Sequence, residues 1–191
     1  MSLTTCPTDM TGMLLVSTPA IQDPAFRRSV ILVCAHSPAG ALGVMVNRPA
    51  TNMTLRRLFQ EHGLEAGPLP VGVPIFAGGP AHIESVIVVH RDRARAQEGT
   101  RPVTDGVRIT PRLETVADLA RRTMPDRYMI AMGHCAWGRG RLETELFAGK
   151  WLLAPMQEDV VFSAPATGRW DAAMRGMHVP PAHLSGAAGN A

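Results

Sequence analysis

The segment 133–146 carries the residue types and the spacing best suited to binding an anion. Gly138 and Gly140 precede a short helical pattern, and the free backbone N–H groups at the start of a helix attract negative charge. Arg141 beside them could grip a phosphate or a carboxylate with two hydrogen bonds. The alternative is that the glycines only permit a tight turn, that Trp137 packs in the core and that the arginine is solvated.

Two further loops carry residue types that often surround a ligand. Asn47 and Arg48 end an apolar strand, where the Asn47 amide could face a ligand or form a simple turn. Gly78 and Gly79 could bring the backbone close to a ligand or only end a strand. If the three loops converge they line one pocket, and a ligand-binding function for this chain predicts that Asn47, Gly79 and Trp137 meet in it. The full set of candidate binding residues is Asn47, Arg48, Gly78, Gly79, His134, Trp137, Gly138, Gly140 and Arg141.

Signatures of catalysis and of metal binding are incomplete in this sequence. It lacks the G-x-S-x-G elbow of serine hydrolases and the Walker pattern of phosphate-binding loops. His134 and Cys135 are adjacent on a strand and point to opposite faces, which argues against a shared metal ion. Glu143 and Glu145 face different ways on a helix, and Glu143 is better placed to meet the helix's own N–H groups. We therefore expect no catalytic residues, no metal and no cofactor.

The hydrophobic pattern predicts the elements that position these loops. Apolar, β-branched runs indicate strands, the first two paired as a hairpin, over 29–35, 42–47, 73–77, 84–90, 127–132 and 159–162. Helical spacing and capping residues predict helices over 54–62, from Pro111 to before Pro125, over 140–148 and around 170–175. The polar segment 91–105 is predicted to be a mobile loop.

Length and composition indicate one globular domain over residues 1–175, with a flexible C-terminal tail over 176–191. The chain has 191 residues, of which 46% are hydrophobic, and no apolar run approaches the ~20 residues of a membrane span. Its three cysteines lack paired spacing, which indicates a reduced compartment. The first residues lack the basic and long apolar parts of a signal peptide. We therefore expect a cytoplasmic protein that does not contact membranes.

The charge pattern does not favour direct binding to nucleic acid. The formal net charge is +3, and the basic residues are spread along the chain without a block of like charge. Arg56 and Arg57 lie on the only helix that could enter a groove, and two arginines on a solvent face usually serve solubility. A protein partner or a small anionic ligand is the more consistent expectation.

Three ordered motifs carry a family resemblance. They are Gly12 to Pro19 with Asp23 to Val30, Gly40 to Pro49 with Phe76 to Pro80, and the segment from Gly133 onward. Between about residues 12 and 162 the chain resembles the AlgH/YqgE family of bacterial proteins. The resemblance implies an α+β fold, in which a bifurcated mixed β-sheet folds into a pseudo-barrel with flanking α-helices.

The last motif departs from the family pattern. Relatives typically show Gly-Tyr-Ala-Gly-Trp followed by Gly-Gln-Leu-Glu, whereas this chain has Gly133-His134-Cys135-Ala136-Trp137 followed by Gly140-Arg141-Leu142-Glu143. A family site that depends on the tyrosine or on the glutamine would therefore have altered chemistry here.

The resemblance implies no settled reaction, cofactor or ligand. Some members are named as transcriptional regulators from genetic links to exopolysaccharide production. We therefore favour a non-enzymatic regulatory or interaction protein whose effect on transcription is indirect. The alternative is a small enzyme or sensor that binds a phosphorylated or carboxylated ligand at residues 138–141.

Overall fold

The computed structural model describes residues 7–64, 73–91, 99–111 and 127–177. The strands in these ranges are β1 (Met13–Ser17), β2 (Val30–Ser37), β3 (Gly40–Met45), β4 (Ile75–Ala77), β5 (Ala81–Arg91), β6 (Arg101–Thr104), β7 (Val107–Thr110), β8 (Tyr128–Gly138) and β9 (Trp151–Pro155). The helices are α1 (Leu55–Glu61), α2 (Arg141–Phe147) and α3 (Arg169–Gly176), with a π-helix (Asp159–Ser163) and a 3₁₀-helix (Ala166–Gly168). None of the described helices has the length and apolarity that a membrane crossing requires.

The strands form one mixed sheet that forks at β8. The order is β6-β7-β5-β8-β3-β2-β1-β9, and β4 pairs with β8 outside this path. One edge of β8 pairs with β5, while its other edge is divided between β4, at Ile130 to Met132, and β3, at Cys135 to Gly138. The β4–β8 pair is parallel and the remaining pairs are antiparallel. The predicted α+β class with a bifurcated mixed sheet is therefore confirmed.

The sheet curls so that β6 approaches the start of β1. Gly12 precedes β1 with φ +81°, and a Cβ on it would meet Cγ2 of Thr104 at 2.6 Å. Only glycine lets the two segments lie this close. The curled sheet forms a half-barrel that a few helices accompany. This confirms the pseudo-barrel that the family resemblance implied.

Apolar side chains cover both faces of the sheet. Leu14 and Val16 of β1 point into one cluster, which Trp170 of α3 closes, while Leu15 points into a second cluster with Leu142 of α2. A third cluster lies between α1 and the strands β4, β5 and β8. Burial on both faces explains why the strands read as continuous apolar runs rather than as alternating patterns.

Most predicted elements agree with the structure. The predicted hairpin is confirmed as β2 and β3, and the strands predicted near β4, β5 and β8 are present. The helices predicted over 54–62, 140–148 and 170–175 are confirmed as α1, α2 and α3. The helix predicted after Pro111 falls on residues 112–126, outside the described residues.

The strand predicted over 159–162 is wrong. This segment is the π-helix, in which the adjacent residues Val160 and Val161 are both buried. A short apolar run fits a buried strand and a buried helical turn equally well, so periodicity alone does not separate them.

The predicted extents of two other segments are also wrong. The segment 91–105 was predicted as a loop, yet it contains strand β6, although residues 92–98 lie outside the described residues. Strand β8 continues to Gly138, beyond the apolar run 127–132 from which it was predicted and beyond His134 and Cys135, which were expected near its end. Strands β1, β7 and β9 were not predicted. Most of the predicted tail, residues 178–191, also lies outside the described residues.

Candidate functional site

Gly78 and Gly79 lie where the sheet forks. The N–H group of Gly78 donates to the carbonyl of Met132, and its own carbonyl accepts from the N–H group of Met45, each at 2.7 Å. Gly79 has φ +156°, and a Cβ on it would overlap the carbonyl group of His134. These glycines therefore permit the backbone of the connection between β4 and β5 to lie directly against β8.

Asn47 and Arg48 hold the loop that precedes β2. The Asn47 side chain accepts from the N–H of Val30 at 2.9 Å and donates to the carbonyl of Arg28 at 2.7 Å. Nη2 of Arg48 donates to the carbonyl of Arg27, also at 2.7 Å. Their polar groups thus fix a backbone in which Arg28 adopts the left-handed φ of 53°. A ligand role for either side chain stays a prediction.

His134 stacks on a second histidine at the rim of the fork. Its ring lies 5.3 Å from the ring of His82 at an interplanar angle of 12°, and Glu84 Oε1 lies 3.4 Å from His82 Nδ1. Nδ1 of His134 is buried and has no hydrogen-bond partner among the described residues. Burial lowers the pKa of His134, the neighbouring His82 lowers it further, and Glu84 opposes both.

This lowered pKa predicts a pH-dependent stability. The unfolded chain takes up a proton at His134 near pH 6.5, before the folded protein does, so His134 destabilises the fold as pH falls below that value. Urea unfolding at pH 7.5 and 5.5 should show that the parent loses more stability on acidification than His134→Asn. Equal losses in the two proteins would contradict the assignment.

Glu145 joins two tryptophans and an arginine. Its Oε2 accepts from the indole N–H of Trp137 at 3.0 Å and from that of Trp151 at 2.9 Å, while its Oε1 accepts from Nε of Arg141 at 3.2 Å. Burial raises the pKa of the Glu145 carboxyl, but these hydrogen bonds outweigh it and hold the pKa below its usual value. The carboxylate is therefore ionised at neutral pH and accepts three hydrogen bonds.

These side chains line a cleft of about 510 Å³, hereafter the aromatic cleft. Its apolar lining is Ala20, Ile21, Phe26, Pro80, Ala81, Cys135, Ala136, Trp137 and Trp151, and its polar lining is Gln22, Asp23, Arg141, Glu145 and Lys150. The rings of Trp137 and Phe26 each meet the ring of Trp151 edge to face, with centroids 6.2 and 6.1 Å away. Asn47 and Gly79 do not line this cleft, so the predicted meeting of Asn47, Gly79 and Trp137 is not observed here.

The start of α2 already faces a carboxylate of the chain. Gly140 caps the helix with φ 69°, and Glu143 in the first turn has a lowered pKa because its own backbone N–H donates to it. This contact confirms the role expected for Glu143, whose Oε1 also lies 2.8 Å from Nε2 of His36. Since Arg141 is engaged by Glu145, the contacts do not favour an anion at residues 138–141, and that site stays a prediction.

The two buried thiols, Cys34 and Cys135, are suited to packing rather than to nucleophilic chemistry. Cys135 is 1% exposed, and burial raises its pKa to about 12. Burial also raises the pKa of Cys34 to about 12. Both thiols are therefore protonated at neutral pH, and only the thiolate is an effective nucleophile. Among the described residues no group of three or more His, Cys, Asp and Glu side chains could hold a metal ion.

Sequence reasoning found Trp137 and Arg141 but missed Glu145, which joins them. The i, i+4 spacing of Arg141 and Glu145 was an available signal for an ion pair. Trp151 gave no such signal, because its approach to Glu145 depends on the turn that follows α2 and on the pairing of β9 with β1.

The sequence matches proteins of one family over nearly its whole length. The family described as AlgH-like matches residues 14–182. A UPF0301 protein of Paracoccus denitrificans is 34% identical over 185 residues, which cover 96% of this chain and 97% of the relative. A UPF0301 protein of Thioalkalivibrio sulfidiphilus is 33% identical and covers 98% of this chain and 100% of its own length.

Two solved structures share the fold. The solution structure of the AlgH protein from Pseudomonas aeruginosa has a TM-score of 0.79 and 26% identity, with all of both chains covered. The crystal structure of protein DIP2367 from Corynebacterium diphtheriae has a TM-score of 0.74 and 21% identity, covering 93% of this chain and 92% of its own. At that identity the second likeness shows the fold alone.

Proposed function

From the premise that this chain belongs to the AlgH-like family, we propose that it is a cytoplasmic, non-enzymatic interaction protein that binds a partner in the aromatic cleft. Any effect on transcription is then indirect and passes through that partner. The observation that carries the proposal is the Glu145 carboxylate, which fixes the indole rings of Trp137 and Trp151. A cleft whose walls are ordered before binding loses little conformational entropy when it is filled.

The groups in the cleft support binding rather than catalysis. Glu145 is engaged by three donors, so as a general base it would first have to give up those hydrogen bonds. The Cys135 thiol stays protonated at neutral pH because burial raises its pKa to about 12. What the cleft offers a partner is apolar and aromatic surface.

The distribution of apolar and polar residues supports a protein partner. The cleft is lined by the aromatic residues Phe26, Trp137 and Trp151 together with exposed Gln22 and Lys150. Protein interfaces are enriched in aromatic residues, and a pocket that combines aromatic and polar side chains suits one apolar anchor of a partner protein. We therefore expect the partner to insert an apolar side chain that polar residues flank.

The cytoplasmic location is supported by the cysteines. Cys34 and Cys135 are free and buried, as in proteins of a reducing compartment. Fractionation of the native cells should place the protein with cytoplasmic markers.

Lys150 gives a direct test, because it is the only lysine in the chain and it lines the cleft. An amine-reactive photo-crosslinker therefore attaches only there and at the N-terminal amine. In Lys150→Arg only the N-terminal amine reacts, so this variant shows which adducts form through the N-terminus. In an extract of the native cells we expect one dominant protein adduct through Lys150. Ala136→Trp should abolish the adduct, since Ala136 is exposed within the cleft and the larger ring fills it.

The matched control is Arg56→Trp, which places the same side chain at an exposed position of α1. This variant should crosslink as the parent does. An adduct that forms with undiminished yield in Ala136→Trp would rule out the cleft as the binding site.

A further inference from the structure

A second cleft, hereafter the serine cleft, adjoins the first. Its volume is about 260 Å³, and it shares Ile21 and Gln22 with the aromatic cleft. Ser17, Arg27 and Trp170 also line it. A cleft of this size is below the usual range for drug-sized ligands, so its occupant is a small molecule or a small part of one.

Ser17 supplies an unused hydrogen-bonding group. This residue is 1% exposed, and its hydroxyl has no hydrogen-bond partner among the described residues. Buried hydroxyls are almost always hydrogen-bonded, because an unpaired one has lost its water without compensation. A ligand oxygen in the serine cleft would supply the missing partner.

Arg27 supplies an uncompensated positive charge. Its neighbour Arg28 is already engaged, since its guanidinium lies 4.2 Å above the Trp170 ring and donates to both carboxylate oxygens of Asp171 at 3.0 and 3.1 Å. Arg27 makes one long hydrogen bond, 3.4 Å, to the carbonyl of Gln22. It forms no ion pair within the described part of the chain. Within the described residues, the cleft therefore presents Arg27 as a cation without an ion-pair partner.

The backbone that carries this cation is fixed. Arg48 donates to the carbonyl of Arg27 and Asn47 donates to that of Arg28. Asn47 and Arg48 thus act as positioning residues, because they order the loop before any ligand arrives. This gives a structural use to two residues whose sequence pattern had suggested direct ligand contact.

We propose that the serine cleft binds a small carboxylate with an apolar body. The carboxylate oxygens accept from the Ser17 hydroxyl and from the Arg27 guanidinium, while the apolar body packs against Ile21 and Trp170. A carboxylate fits better than a phosphate, because one free cation and one free hydroxyl match a single negative charge with few acceptors. Although the two clefts share Ile21 and Gln22, Ser17, Arg27 and Trp170 line only the serine cleft, so the proposal does not depend on the proposed function.

The test is calorimetric titration of the full chain with benzoate and hexanoate, beside benzamide and inorganic phosphate. We expect saturable binding of one or both carboxylates, which Ser17→Ala and Arg27→Gln each weaken by about tenfold, since each removes a charge-assisted hydrogen bond. Arg56→Gln is the matched control, because it removes an exposed arginine that lines neither cleft. It should bind as the parent does.

Four results would overturn the proposal. These are no saturable binding of either carboxylate, equal binding of benzamide and benzoate, tighter binding of phosphate than of both carboxylates, and unchanged binding in Arg27→Gln. If Ser17→Ala does not fold, Arg27→Gln decides alone, because Arg27 is exposed. Crosslinking at Lys150 in Arg27→Gln separates the two proposals, since loss of carboxylate binding should leave the partner adduct intact.

Discussion

Replacing Gly79 with alanine is expected to lower the free energy of unfolding by about 3–5 kcal/mol. The added Cβ would overlap the carbonyl group of His134. In addition, residues other than glycine rarely adopt the φ of +156° that Gly79 has. The obstacle is backbone, which cannot rotate away as a flexible side chain could. Urea unfolding monitored by tryptophan fluorescence measures the loss, and β8 should be the first strand to lose protection in hydrogen exchange.

Gly138→Ala is the matched control for this prediction. Both glycines were candidate ligand-binding residues in the sequence, yet a Cβ on Gly138 has no atom within 4 Å. Its substitution should change the stability by less than about 0.5 kcal/mol. Equal stabilities for the two variants would mean that the fork does not require close backbone contact at Gly79.

Replacing Glu145 with alanine is expected to lower the free energy of unfolding by about 3 kcal/mol. The indole N–H groups of Trp137 and Trp151 would lose their acceptor, and these residues are only 7% and 4% exposed. The variant should also lose the acid sensitivity that Glu145 confers. Because hydrogen bonds lower the folded pKa below 4.5, the stabilisation is present above that pH and is lost as pH falls through the folded pKa.

Thermal unfolding at pH 7 and at pH 3.5 measures both effects. The control is Glu61→Ala, which breaks an exposed pair with Arg57 and should cost less than about 1 kcal/mol. If Glu145→Ala were no more destabilising than Glu61→Ala, the carboxylate would not be ordering the tryptophans, and the main support for the aromatic cleft as a binding site would be gone.

The elements with local signals were predictable from the sequence. The β2–β3 hairpin joins two apolar runs across a short turn, and α1 shows its buried face in the spacing of Leu55, Leu58 and Phe59. Strand β1 was not predicted, although its short apolar run lies within the first family motif. The segment around Val160 is a π-helix in which Val160 and Val161 are both buried, a conformation that its short apolar run does not distinguish from a buried strand.

The candidate site was only partly predictable for the same reason. Trp137 and Arg141 stand out by residue type and do line the aromatic cleft. Glu145 gained its role from Trp151, which reaches it only after the chain turns back from α2 into β9. Ser17 carries no sequence signal, since an unpaired buried hydroxyl becomes visible only when the surrounding atoms are placed.

The fork at β8 has a consequence for synthesis of the chain. Strands β3, β4 and β5 all pair with β8, so each has an open edge until residues 128–138 have left the ribosome. During that interval the apolar residues Val86 to Val89 lack one of their strand neighbours. Such edges invite pairing with other nascent chains. A ribosome-bound fragment that ends before β8 should therefore recruit chaperones, and one that extends past β9 should release them.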